Sequence, residues 1–321
     1  MTRFLLSRLL QAAVVLLVMS VLVTVLLGLM PGDPVDLMAA GNPHMTPADV
    51  ARLKALHGLD RPLHERYLNW LSAALRGDFG HSRLYSQPVL AVLAPRLVNT
   101  LLLLGAAFVL AIAVALPLGV YAARRPHSLI DDAVNLFCFA GISIPAFWLA
   151  LLLILLFAVT LGWLPASGAG PVGAAAWWER LPYFVLPVLT LTLASIGGYT
   201  RYVRASMLVE LRQDYVRTAR AKGLSERQVV WRHALRNAFI PVVTIVALEF
   251  GTLFSGALVT ETMFAWPGMG KLIYDSIMGN DANVALVALL LATATTLAGN
   301  LMADVAYAAL DPRITFRELR T

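Results

Sequence analysis

An all-α membrane protein with six transmembrane helices and a folded external loop is the fold this sequence predicts. Three observations carry that prediction. The 321 residues are 59% hydrophobic and 14% charged, where soluble domains are about 25% charged. Mean hydropathy is +0.73, so much of the surface must face lipid rather than water. Six apolar runs reach the ~20-residue length that spans a bilayer as helix, and basic residues collect on one side of them.

The first run, Leu9–Met30, is uncharged, follows Arg3 and Arg8, and ends at Pro31-Gly32-Asp33-Pro34. A cleaved leader has an apolar stretch of only about 7–15 residues; this run has 22, so a retained helix is expected. The second run is Leu97–Ala123, the third continues from Asp131-Asp132 to Leu164, and the fourth is Leu181–Thr200. The fifth, Asn237–Thr260, contains one charge, Glu249, and the sixth is Ala282–Ala303. Pro117, Pro145, Pro187 and Pro241 fall in or beside these runs and read as packing kinks, because neighbouring helices satisfy the freed carbonyls. Gly251 with Ser255, and Ala294 with Ala298, have the small-x-x-x-small spacing that permits close helix approach. Trp163, Trp177, Trp178 and Trp266 fall near external ends, as an aromatic belt would.

Six spans put both termini on one side. The segment Arg201–Arg236 holds nine Lys/Arg against three acids, and Arg3, Arg8, Arg124 and Arg125 lie on the same side. The opposite short loops hold only Arg180 and Lys271, so the basic side is cytoplasmic. This arrangement accounts for the net charge of +6 without nucleic acid. The single cysteine, Cys138, excludes an intrachain disulfide, and the six histidines form no metal-ligand spacing. His44, His57, His64 and His81 lie irregularly in the external loop and read as surface or capping residues.

The chain divides into a first helix (1–30), an external helical loop (31–96), a core of five spans (97–303) with a cytoplasmic loop at 201–236, and a cytoplasmic tail (304–321). In the external loop, Thr46-Pro47-Ala48-Asp49 reads as an N-cap, a first-turn proline and a third-position acid. Val50, Leu53 and Leu56 follow at helical spacing, and Gly58 suits a stop. A second amphipathic stretch carries Leu63, Tyr67, Trp70, Leu71 and Ala74. These stripes pack on the membrane domain or meet an external partner.

The informative cytoplasmic stretch is Asp214–Thr244. A basic helix-forming run containing Ala219 and Lys222 halts at Gly223. Ser225-Glu226-Arg227-Gln228 then matches a capping box that starts a second helix. Helix, glycine turn, helix makes a stiff charged elbow able to transmit force. Within the fifth run, Glu249 lies about 18 Å deep at 1.5 Å per residue. A mid-bilayer charge costs at least about 2.5 kcal/mol, so Glu249 faces a solute path or a polar group of another helix.

Tyr215–Glu226 followed by Arg232-His233-Ala234-Leu235-Arg236-Asn237-Ala238 closely resembles the cytoplasmic loop of bacterial ABC-importer permeases. The resemblance is to the B-type permease of the dipeptide/oligopeptide/nickel branch and covers nearly the whole chain. Pro31–Pro34, Leu59-Asp60-Arg61-Pro62-Leu63, Gly77-Asp78-Phe79-Gly80 and Leu310-Asp311-Pro312-Arg313 also look like that branch. Glu261-Thr262-Met263-Phe264 with Pro267-Gly268-Met269-Gly270 resembles the outward turn of these permeases. Against the wider permease motif, Ala219, Gly223 and Leu235 match, while Arg217, Thr218 and Arg236 replace its glutamate, first alanine and proline.

The resemblance implies a type I ABC-importer permease fold in the bacterial inner membrane, with both termini cytoplasmic. It implies that Arg217, Ala219, Lys222, Gly223, Leu224, Ser225, Glu226 and His233 belong to a helix that docks on a cytoplasmic ATPase. It implies an external turn at Glu261, Pro267, Gly268 and Gly270, and leaves Glu249 as the candidate for the path. The implied partners are a second, homologous permease in a heterodimer, two ABC ATPases, a periplasmic or lipid-anchored solute-binding protein, membrane lipid and a peptide cargo. Nickel or glutathione-like cargo fits the same machine. No catalytic residue, metal or cofactor of its own is expected. The chain has no Gly-x-x-x-x-Gly-Lys-Ser/Thr loop, its only Gly-Lys being Gly270-Lys271, so ATP and magnesium would be bound by the partner subunits. A self-contained secondary transporter is disfavoured by the lone intramembrane acid and the lack of a repeat.

Overall fold

A computed structural model describes residues 2–30, 35–36, 39, 44–56, 58–171, 173, 176–239 and 258–310. Among them, four helices are long and apolar enough to cross a membrane, and a bent pair makes a fifth crossing element. Most of the expected fifth span, including Glu249, Pro241, Gly251 and Ser255, lies outside the described residues.

Helix α1 (Thr2–Gly28) shows most of its described large apolar side chains on the outside, and among its described side chains only Ser20 and Val23 are buried. It runs beside the last helix, to which Arg8 pairs through Asp304 at 2.7 Å. In the loop that follows, α2 (Pro47–Leu56) begins with the predicted cap. The Thr46 N–H and hydroxyl donate to the Asp49 carboxylate at 3.0 and 2.6 Å, and the Asp49 N–H donates back to the hydroxyl. The Thr46 hydroxyl holds the exposed Asp49 carboxyl below its ordinary pKa. Gly58, at φ +64°, provides the left-handed stop.

Helix α3 (Leu63–Ala74) takes the packing option. Leu63 lies against Gly28, and the Tyr67 hydroxyl meets that of Ser20 at 2.8 Å. The loop then closes on the far end of the protein. Phe79, Tyr85 and Val89 join a buried cluster with Met269, Leu272 and Val284.

Helix α4 (Val89–Arg124) and the later α7 (Leu181–Glu210) form the central pair. A glycine lets them approach closely. A Cβ on Gly119 would stand 2.7 Å from Val203, and, where α7 meets the helix at residues 129–143, one on Gly197 would stand 2.6 Å from the Cys138 carbonyl oxygen. Such backbone proximity maximises packing where lipid gives helices no hydrophobic reason to associate. Ala298, by contrast, is exposed.

The third run departs from the expectation of one continuous helix. Helix α5 (Leu129–Ser143) and α6 (Ala146–Leu153, continuing in π-helical form through Ile154–Thr160) meet at 99°. Proline disfavours the α conformation in the residue before it, and Ile144 is extended, with φ −83° and ψ 121°. Pro145 thus breaks the run instead of kinking it. The aromatic belt is also corrected. Trp163, Trp177 and Trp178 are exposed, but Trp266 is buried and its Nε1 donates to the Asn99 carbonyl.

Candidate functional site

The first candidate site begins where α7 ends. After a turn at Leu211–Gln213, α8 (Asp214–Ala221) opens with an acid at its positive end. Val216 and Ala219, three residues apart, share one face and are both buried. They pack with Val120, Val203 and Met207 of the membrane core and with Val229, Val230 and Ala234 of the returning helix. The opposite face leaves Arg217, Thr218, Arg220 and Lys222 in the open.

The turn is closed by its backbone. Gly223 sits at φ +79°. Its N–H donates to the Arg220 carbonyl at 2.9 Å, and the Leu224 N–H donates to that of Ala219 at 3.3 Å. These two bonds are the Schellman pattern at a helix end. The predicted capping box is present: the Ser225 hydroxyl accepts from the Gln228 N–H, and the Gln228 side chain accepts from the Ser225 N–H. It starts α9 (Glu226–Gln228), which continues in π-helical form through Val229–Ala234. Arg220 bridges the turn to Glu226 at 2.7 Å.

A further contact stiffens the base. The Tyr215 hydroxyl donates to the Glu210 carboxylate at 2.5 Å. Burial, and then that bond, push the phenol up to about 12. Of the eight residues predicted here, Arg217, Lys222, Gly223, Ser225 and Glu226 are exposed. Ala219 is buried, while Leu224 and His233 are half-buried, and these three hold the elbow rather than forming its open surface.

The second candidate site is the turn between α10 (Leu258–Met263) and α11 (Met269–Met278). It is a buried knot. Gly268 is the N-cap of α11 and has no side chain with which to cap it. Glu261 performs the capping from the preceding helix. Fully buried, it accepts from the Lys271 N–H at 3.0 Å and from the Thr100 hydroxyl at 2.6 Å. The Thr100 hydroxyl itself accepts from the Met269 N–H at 2.7 Å. A carboxylate at a helix N-terminus meets both unpaired N–H groups and the positive end of the dipole. A Cβ on Gly268 would fall 2.1 Å from a Glu261 oxygen, and one on Gly270 would fall 2.8 Å from the Leu258 backbone. Pro267 offers its carbonyl to Asn99 at 2.8 Å. The four predicted residues are therefore brought together around α4, facing inward.

Two structural acids with their partners, and the capping role of a third, escaped the sequence analysis. Asp281 caps the last helix, α12 (Ala282–Leu310), accepting from the Val284 N–H; it also holds the loop through the Ser82 hydroxyl at 2.6 Å and the Leu84 N–H at 3.0 Å. An acid directly before an apolar run is a legible cap signal; its bonds to Ser82 and Leu84 are not legible. Asp131, also buried, receives a bidentate grip from Arg204 at 2.6 and 2.7 Å. Nothing local pairs residues 73 positions apart. Glu261 carries no local sign of its capping role either, since its partners come from two other helices.

Comparison with known proteins agrees with this architecture. Residues 115–316 match the family described as binding-protein-dependent transport system inner membrane component, and residues 1–104 match the N-terminal region of such membrane components. The chain is similar to the oligopeptide transport system permease protein AppB of Bacillus subtilis, with 39% identity over 98% of this chain and 100% of that protein. It is 41% identical to a putative peptide permease protein of Brucella suis, covering 98% and 99% of the two chains. It is 39% identical to the glutathione transport system permease protein GsiC of Salmonella choleraesuis, covering 99% and 100%. Among solved structures, the MetNI methionine ABC transporter in inward-facing conformations shares the fold, with a TM-score of 0.52 and 20% identity. That match covers 66% of this chain and 93% of the other.

Proposed function

The chain belongs to the family of binding-protein-dependent transport system inner membrane components, and from that premise we propose that it forms half of a path for short peptides, moved by cytoplasmic ATPases that grip the Asp214–Gln228 elbow. Membership makes the protein a multi-pass permease of the ABC-importer class. The peptide cargo is supported by the names of full-length relatives, which include oligopeptide and glutathione permeases; glutathione is itself a small peptide. The second permease is a homologous chain, the solute-binding protein waits on the external side, and both termini are cytoplasmic.

The observation that carries the elbow's role is its two-sided construction. One face is cemented into the core that holds α4 and α7, and the other presents Arg217, Arg220 and Lys222 to solvent. A rigid-body push on the exposed face is thereby delivered to the central helix pair instead of being absorbed by a loose linker. Glu249 is proposed as a lining residue of the path, where its charge would attract a peptide's amino group.

Gly223→Asp tests the coupling. The variant is expected in the membrane at normal levels, with ATP hydrolysis by the assembled importer no longer producing uptake of a labelled dipeptide. Cysteine cross-linking between Arg217→Cys and the ATPase subunit in cells supplies the direct contact. Undiminished uptake together with no cross-link would sink the docking assignment.

A further inference from the structure

We propose that the cavity between the external end of α1 and helix α3 binds the phosphate headgroup of an anionic outer-leaflet phospholipid. The cavity is about 720 Å3. Its walls combine three kinds of group that a lipid needs. Arg61 and Arg66 supply cationic donors, Trp70 supplies an interfacial aromatic ring, and Leu27, Leu63 and Leu286 supply apolar surface.

Charge favours an anion. The lining holds Arg61, Arg66 and Arg83 against one acid, Asp281. That acid is committed to Ser82, Leu84 and Val284, and Arg83 is bonded to the Gly279 carbonyl. Arg61 and Arg66 enter no ion pair among the described residues. Guanidinium groups suit phosphate because their planar donors match two oxygens at once. The Trp70 Nε1 is buried and donates to no acceptor among the described residues, which is unusual for a buried indole. A phosphate or glycerol oxygen would complete it.

Position selects a lipid over a soluble anion. Thr24, Leu27 and Gly28, the last turn of a membrane-spanning helix, line the cavity, so it opens at headgroup level. Helix α3 lies over that end of α1, with Tyr67 reaching Ser20. It exposes Leu68 and Leu75, seven residues apart, at 59% and 81%. Apolar side chains on one outer face, beside basic residues, mark a helix lying in the interface. Assigning the outer leaflet rests on the external placement of the loop; binding itself does not.

The test uses the assembled importer in nanodiscs, with bromine-labelled phosphatidylglycerol or phosphatidylcholine as quencher. The Trp70 signal is the difference between wild type and Trp70→Phe. Phosphatidylglycerol is expected to quench it at about one tenth the mole fraction that phosphatidylcholine requires, and Arg61→Gln or Arg66→Gln is expected to raise that fraction about tenfold, the effect of losing one charge-assisted bond. Glycerol phosphate and a dipeptide are expected not to displace the lipid. Equal quenching by the two lipids, indifference to both arginine substitutions, or absence of a Trp70 signal overturns the proposal. Displacement by glycerol phosphate makes this a soluble-anion site, and displacement by the dipeptide makes it a cargo site; either overturns the lipid assignment. Native mass spectrometry provides a second measurement, with one retained phosphatidylglycerol expected on wild type and none on the double arginine variant. None of these outcomes depends on peptide uptake, so failure here leaves the transport reading standing.

Discussion

The Asp214–Gln228 elbow and the Glu261–Gly270 knot are both helix–turn–helix connections that depend on glycine, yet they need glycine for opposite reasons. At Gly223 the requirement is conformational: φ is +79° and nothing lies within 4 Å of where a Cβ would stand. At Gly268 the backbone is extended at φ −102°, and the requirement is space, because the Glu261 carboxylate occupies the side-chain position. The elbow spends its polar groups on solvent and on its own turn, leaving an open charged face. The knot directs its polar groups inward, capping α11 with a residue borrowed from another helix. An open turn is available to a partner, whereas a turn with its polar groups paired internally is a fastening.

The largest effect should come from breaking the fastening. Gly268→Ala places a methyl group on the Glu261 carboxylate and forces it off the Lys271 N–H. Overpacking and an unpaired buried carboxylate together are expected to cost about 3–5 kcal/mol. Thermal unfolding of the detergent-solubilised importer should show a lower midpoint and loss of monodisperse protein. Glu261→Gln sharpens the comparison, since the amide oxygen still accepts one N–H, and should retain about half of that stability.

The elbow should tolerate the equivalent change. Gly223→Ala meets no neighbour and carries only the strain of a left-handed alanine, about 1 kcal/mol. Membrane yield and unfolding midpoint should therefore stay near wild type. A collapse as severe as that of Gly268→Ala would mean the elbow is also a fastening.

The smallest effect is a pH dependence. The Tyr215 phenol ionises near 12 in the fold and near 10 in an unfolded chain. The folded state thus holds this proton more tightly. Its contribution is fully present below about pH 10 and fades as pH rises toward about 12. Difference absorbance at 295 nm between wild type and Tyr215→Phe should show one phenol titrating late. Titration of that phenol near 10 would show that it is neither buried nor bonded to Glu210 as described.

Much of the elbow was legible in the sequence because its signals are local. A stop glycine and a serine–glutamine capping box both lie within Asp214–Ala234, and each is satisfied by near neighbours. The knot was legible only as a string. Glu261, Pro267, Gly268 and Gly270 could be marked, but that the carboxylate substitutes for a missing cap side chain depends on Thr100, some 160 residues away. The break at Ile144-Pro145 was half legible: proline favours an extended residue before it, but Pro117 and Pro187 lie inside continuous helices, and no local signal gives the 99° angle.

Composition and hydropathy by themselves determined that this protein lives in lipid, because apolar runs of span length have no other stable environment, and local turn chemistry determined that a stiff elbow precedes Asn237. Only the tertiary structure decided which small residues bring helices together, which acids are caps and which arginine is paired. Those outcomes depend on groups from distant parts of the chain meeting within hydrogen-bonding distance. No local pattern encodes such a meeting.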